Sequence, residues 1–270
     1  EPAHGSGLSS FTERGMRVLV LLPPSETKRD GGDFAPVDLA ALSFPSQLRA
    51  RREVTKAVAA LGRSRDECAR VLKLSPKQLD EVVRNRTVLK SPTMPAIDRY
   101  TGVLFDALDA LSLPTSARTF LRDHVAIGSA AFGLVRGMDL IPAYRLSFDS
   151  RLPGLKAGSL KHTWATAGSA ALAPETGFIL DARSEGYASL APLPPAANST
   201  YLRVVSHSEG GEVRALNHFN KKGKGEFVRA LALDAAVASR IASVDDLITW
   251  GNHNGFTLVT GAPGETNLVA

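Results

Sequence analysis

Arg17-Val-Leu-Val-Leu-Leu22 is a short unbroken run of branched apolar side chains, the pattern of a strand buried on both faces. Pro23-Pro24 ends it, so the polar stretch Ser25-Glu-Thr-Lys28 falls at the strand's carboxyl end. Residues 29–43 show no regular period and read as an ordered excursion. Between about 46 and 61, Val54, Val58 and Leu61 share one face at i, i+4, i+7, which predicts a helix. Two shorter helices follow, each opened by a capping box, Ser64-Arg-Asp-Glu67 and Ser75-Pro-Lys-Gln78. Only Lys73-Leu-Ser-Pro76 separates them, so a tight helical hairpin is expected. Further helices are predicted at 101–111, 116–124, 160–172, 225–238 and 243–250. Strands are predicted at 125–127, 178–180, 201–205, 212–219 and 256–259, with a hairpin turn at 208–211. This alternation, without an internal repeat, predicts a mixed α/β (α+β) fold. One compact domain should span 16–270, with a central sheet, surrounding helices and a basic helical subregion at 46–90. Residues 1–15 carry no period and read as an appended remnant outside the fold.

Composition narrows the class. A hydrophobic content of 44% over 270 residues supplies a core and excludes a disordered chain. No apolar run approaches the ~18 residues of a membrane span, and the 18–22 run is too short for a secretion signal. The lone Cys68 precludes an intrachain disulfide and fits a reducing compartment. A cytoplasmic protein with no membrane partner is expected. The net charge of +5 is unevenly spread: from Arg49 to Lys90 twelve Lys/Arg face five Asp/Glu, a local +7 that leaves −2 elsewhere. Such a segment suits an anionic partner, although a plain solvated helix face gives the same count.

Several enzyme signatures fail. Gly128-Ser-Ala-Ala-Phe-Gly133 has P-loop glycine spacing, but Leu134-Val135 stand where Lys-Ser/Thr must be. Ser129 does not sit in G-x-S-x-G, and no G-x-G-x-x-G follows the first strand. His124, His162, His207, His218 and His253 lack metal-site spacing. No metal and no cofactor are predicted. Three clusters remain. One is the 25–28 loop, because ligand crevices form at the carboxyl ends of α/β strands. Another is Asn217-His-Phe-Asn-Lys-Lys-Gly-Lys-Gly225, read as a glycine-bearing lysine turn ahead of a helix N-terminus, suited to phosphate. The last is Tyr144-Arg145 with Arg136 upstream, which can stack a base and hold a phosphate or simply close a loop.

Taken in order, these segments resemble the YaaA peroxide stress protein family, also described as DUF328 or UPF0246. The resemblance is carried by LLPPSETK at 21–28, Arg99-Tyr-Thr-Gly102, the block from Ile127 to Arg145, and Leu180-Asp-Ala-Arg-Ser-Glu-Gly-Tyr187. The lysine cluster at 221–224 and Trp250-Gly-Asn-His-Asn-Gly255 complete it. Phe132 in place of Tyr and Gly137 in place of Pro mark a divergent branch.

The resemblance implies a positively charged cleft, a helix-hairpin-helix-like element and DNA binding during peroxide stress. The hairpin here lacks the usual glycine. On this reading Arg63, Arg65, Lys73, Lys77 and Arg84, with Arg136, Tyr144, Arg145, Lys221, Lys222 and Lys224, grip the phosphate backbone with little sequence preference. The alternative is an enzyme acting on a nucleotide, nucleobase or damaged DNA in the same cleft. Its candidate catalytic residues are Glu26, Lys28, Arg145, Glu185 and Lys221.

Overall fold

Every residue from Leu19 to Leu22 is buried, with alternate side chains entering two separate apolar clusters. The run is continuous because both faces of its sheet are covered. The computed structural model describes residues 18–207, 213–214 and 217–269, with the side chains of 206–219 left aside. The expected remnant at 1–15 and the expected turn at 208–211 lie outside these residues.

The strands are β1 (Leu19–Leu22), β2 (Met94–Pro95), β3 (Val125–Ser129), β4 (Gly133–Arg136), β5 (Leu140–Ile141), β6 (Ile179–Asp181), β7 (Ser199–His207), β8 (Val213–Arg214), β9 (Thr257–Thr260) and β10 (Glu265–Val269). The helices are α1 (Leu48–Leu61), α2 (Arg65–Val71), α3 (Glu81–Arg86), α4 (Ala96–Arg99), α5 (Val103–Leu108), α6 (Thr115–His124), α7 (Leu160–Leu172), α8 (Glu185–Ala188), α9 (Asn217–Leu233), α10 (Ala235–Ala238) and α11 (Val244–His253). The main sheet runs β4-β3-β1-β6-β7-β10-β9, with β8 also paired to β7. Its five inner strands are parallel, while β4 and β9 close the two edges antiparallel. One face of β1 packs into the large cluster with α5, α6 and α9, and the other meets Ala171 and Leu172 of α7. The mixed α/β architecture expected from the pattern is the one observed.

Within the basic subregion, the second capping box forms with both of its bonds but opens a 3-10 turn at Pro76–Gln78, ahead of α3. Only the Ser64 half of the first box forms, its side chain accepting from the Glu67 N–H. Lys73 takes the left-handed position after α2, at φ +53°, where glycine is more common.

Two predictions from the pattern fail for packing reasons. The expected 212–219 strand reduces to Val213–Arg214, and the chain is helical from Asn217 onward. The expected lysine turn at 221–224 is therefore interior helix. Gly225, expected where the turn gives way to the helix, sits where a Cβ would meet the Leu104 carbonyl and Ala107, so glycine here lets α9 approach α5. Close packing outweighs the helix cost of Gly, about 1 kcal/mol.

Buried cations tie the irregular segments to the sheet. Arg51 of α1 is fully buried and donates to the carbonyls of Leu42, Ser43, Phe132 and Leu134. Beside it, Gln47 accepts from Leu134 N at 2.9 Å and donates to its carbonyl at 3.2 Å. Gly133, at φ +70°, faces the Gln47 amide and the Trp164 ring with no room for a methyl group.

Gly133→Ala should therefore cost about 2–5 kcal/mol, combining left-handed strain with overpacking. Gly154→Ala, at φ +82° with nothing within 4 Å, carries the strain alone and should cost about 1–2 kcal/mol. Urea unfolding of the two variants measures both, and equal losses would refute the packing role of Gly133.

Candidate functional site

The loop after β1 folds its last residue inward. A backbone bridge pairs Lys28 with Tyr100, which follows α4, and leaves Lys28 only 6% exposed. Lys28 Nζ donates to the carbonyls of Ser25 at 2.9 Å and Glu26 at 3.2 Å. It lies 4.1 Å from the centroid of the Tyr144 ring and 5.3 Å from that of Tyr100. The two tyrosine hydroxyls are 2.9 Å apart, and Tyr144 reaches Ser129 Oγ at 2.7 Å. Ser129 ends β3, so the carboxyl ends of two adjacent parallel strands meet at one buried polar group, the usual place for a ligand crevice.

Burial pushes the Lys28 amine down from 10.5 to about 7; Glu81 and Glu26 oppose this and Arg145 and Arg84 add to it. The aromatic faces also favour the cation, so desolvation works against them. Burial likewise pushes both tyrosine hydroxyls upward.

Beside this seat, Asn85 of α3 clamps the backbone of Arg145, accepting from its N–H and donating to its carbonyl, both at 2.8 Å. The Arg145 guanidinium then meets Glu26 Oε2 at 2.6 Å. Glu26 and Arg145 form part of the wall of a cleft of about 640 Å³. Arg70 and Lys73 line it from the end of α2, and Asp149 and Arg151 from the segment after β5. Arg84 pairs with Asp30 at 2.7 Å and Glu81 at 2.8 Å, while Glu81 Oε2 is buried without a hydrogen-bond partner.

Of the predicted catalytic candidates, the structure brings together Glu26, Lys28 and Arg145. Glu185 is exposed and lies 3.7 Å from Arg203. Lys221 and Lys222 are exposed on α9 and are not among the cleft residues. Lys224 is buried against the Tyr201 ring at 5.3 Å; burial lowers its amine to about 8, with Asp181 raising it and Arg203 lowering it. Free helix N–H groups, which the predicted phosphate turn would need, are not available at 221–224 inside α9.

Of the predicted DNA contacts, Arg63, Arg65, Lys73 and Lys77 are exposed. Arg136 is held by Glu175 at 2.9 Å and the Asp123 carbonyl at 3.1 Å, over the Phe44 ring. Tyr144 is 1% exposed and offers no free face for a base.

Sequence reasoning missed Tyr100, Ser129, Asn85 and Glu81. The first two stood inside noted segments, Arg99-Tyr-Thr-Gly102 and Gly128–Gly133. Nothing in the local pattern marked Asn85 or Glu81.

A family model described as peroxide stress protein YaaA matches residues 18–260, nearly the whole described chain. The chain belongs to the YaaA peroxide stress protein family. A UPF0246 protein of Corynebacterium glutamicum (strain R) is 43% identical over 233 residues, covering 84% of this chain and 91% of that protein. A UPF0246 protein of Streptomyces coelicolor is 40% identical over 219 residues, covering 79% and 82%. One from Flavobacterium johnsoniae is 24% identical over 220 residues, covering 78% and 84%. Three segments that carried the resemblance to YaaA, those holding Lys28, Tyr100 and Tyr144-Arg145, converge on the buried amine. Among the described residues no helix is long and apolar enough to cross a membrane.

The seat has a pH signature. Lys28 loses its proton near pH 7 in the folded chain and near 10.5 in the unfolded chain. Between those values the unfolded chain binds the extra proton, so stability rises with pH, by up to about 1.4 kcal/mol per pH unit from this group. Below pH 7 both forms are charged and the contribution is constant. Urea unfolding from pH 7 to 10 should show wild type gaining on Lys28→Met. A difference that stays constant with pH would refute a depressed Lys28.

Proposed function

We propose that this YaaA family member binds DNA by its phosphate backbone, through the exposed cations of the basic helices and the adjoining cleft, as part of a peroxide stress response. What carries the reading is one placement. Arg63, Arg65 and Lys77 stand exposed on and between α1, α2 and α3, and Arg70 and Lys73 of the same segment line the 640 Å³ cleft. Five cations on one helical subregion give an electrostatic footprint that tracks phosphates without reading bases. Glu67 and Asp149 also line the cleft and partly offset its charge, so the helix surface supplies most of the grip.

The expected tight hairpin is looser, since the α2–α3 connection runs from 72 to 80 through the 3-10 turn; a helix-hairpin-helix-like use of this element would rest on Lys73 in the glycine-like position. Its side chain is 84% exposed and only loosely associated with Asp149 at 3.8 Å, so it is available to an incoming phosphate. Arg84 and Arg136 are committed to internal carboxylates and contribute little. Neither Lys221 nor Lys222 lines the cleft, and Lys222 pairs with Glu226 at 3.3 Å. The reading requires no cofactor.

Titrating fluorescent duplexes of unrelated sequence at several salt concentrations should give log K falling against log salt with a slope of about −4, for roughly four phosphates. Changing Arg63, Arg65 and Lys77 to Ala together should reduce that slope by about 2.7, equally for all sequences. Changing Lys221 and Lys222 to Ala should leave it unaltered. A flat salt response, or no binding at low salt, sinks the proposal.

A further inference from the structure

Among the described residues Lys28 is a buried amine close behind the cleft wall, and its burial lowers it to about 7 against carbonyl and ring contacts that favour the ammonium. A neutral amine has two N–H bonds and a lone pair. The carbonyls of Ser25 and Glu26 take two hydrogens, and neither is a carboxylate that would hold the ammonium. The lone pair is then uncommitted.

Lys28 is not itself on the cleft wall. It lies directly behind Glu26, whose carbonyl it binds and whose carboxylate pairs with Arg145 at 2.6 Å on the wall. Within that pair the two partners differ in freedom. Arg145 is 12% exposed in its side chain and its backbone is clamped by Asn85, whereas the Glu26 side chain is 57% exposed on a loop. A phosphate arriving in the cleft competes for the guanidinium fork, which binds it with two parallel hydrogen bonds. Glu26 is the partner that can yield, and its main-chain carbonyl is one of the two that hold the amine.

We propose that Lys28 is a covalent amine that condenses with the aldehyde of an opened pentose phosphate, whose phosphate takes the place of Glu26 on Arg145. The cleft of about 640 Å³ is large enough for such a substrate. The amine nitrogen adds to the aldehyde carbon to give a carbinolamine, with the amine proton passing to oxygen. Loss of the hydroxyl as water then forms the C=N bond, so one water leaves and nothing is oxidised or reduced. The ionisable groups acting on Lys28 from the packed elements are Glu81 and Arg84 of α3, Arg145 after β5, and Glu26 of its own loop, beside the hydroxyls of Tyr100 and Tyr144.

The same chemistry has two sources, a free sugar phosphate and a DNA strand that has lost a base. The full chain is incubated with ribose 5-phosphate, with ribose, or with a duplex bearing an abasic site, in the presence of borohydride, and adducts are mapped by peptide mass. Ribose 5-phosphate should label Lys28 at least about tenfold more than ribose does, the gain from one charge-assisted phosphate contact. Labelling of Lys28 should be half-maximal near pH 7. A stronger adduct with the abasic duplex assigns the substrate to DNA; a stronger one with the free sugar assigns it to a metabolite. Arg145→Gln, in protein shown to be folded, should remove the preference for phosphate. Labelling of Lys28 no greater than that of Lys77, or equal labelling by ribose and ribose 5-phosphate, overturns the proposal. Wild-type mapping carries the test even if a variant fails to fold. The result is separable from DNA binding, because the free sugar phosphate needs no basic helix and salt-dependent binding needs no Lys28.

Discussion

The inner strands of this sheet are short and end in long irregular segments, and the carbonyl oxygens of those segments are satisfied by buried cationic side chains. Arg51 serves carbonyls of the β3–β4 turn, of β4 and of the 42–43 segment. Arg99 does the same for Arg29, Gly31, Pro92 and Ile141. Arg183 binds the Ala191 carbonyl and closes on Asp181 with both of its other bonds. Leaving any one such oxygen buried and unpaired costs about 1–3 kcal/mol, so Arg51 and Arg99 each anchor several segments at once. The ends of β1, β3 and β6 are held in register by these clasps.

Lys28 occupies the same kind of seat with a different chemistry. Its amine binds two carbonyls of its own loop, as the arginines bind theirs, but an amine can lose its proton where a guanidinium cannot. It lies over the rings of Tyr100 and Tyr144, whose hydroxyls are joined to each other and to Ser129, and on the proposed reading it serves as a reactive nitrogen rather than a fixed charge. The cleft outside it is lined by Arg70, Lys73, Arg145 and Arg151, partly offset by Glu26, Glu67 and Asp149. The proposed backbone binding on the helices and the proposed covalent chemistry behind the Glu26–Arg145 pair would use one electrostatic field. The helices would deliver a strand, and Arg145 would present its sugar.

Legibility from sequence followed where local signals and packing agree. The β1 run and the α1 periodicity predicted what forms, and the Ser75 capping box forms but opens a 3-10 turn. Glu26, Lys28 and Arg145 were legible because they stand at the carboxyl ends of strands or in segments that resemble the YaaA family. The lysine cluster at 221–224 was misread because its glycines look like a turn. Their reason is close contact between α9 and α5, which involves residues more than a hundred positions apart. Desolvation was invisible for the same cause. Whether Lys28 is solvated depends on Tyr100 and Tyr144, brought to it by distant parts of the chain. Asn85, which orients Arg145 from 60 residues away, left no local trace at all.

The charge state of Lys28 is the point on which the site depends, and it can be read directly. Nuclear magnetic resonance of protein carrying carbon-13 at the lysine ε position follows each amine through its titration, and Lys28→Arg identifies the signal. A Lys28 midpoint near 7, well separated from the exposed lysines, is expected from its burial. A midpoint near the ordinary lysine value of about 10.4 would contradict a neutral amine at the cleft.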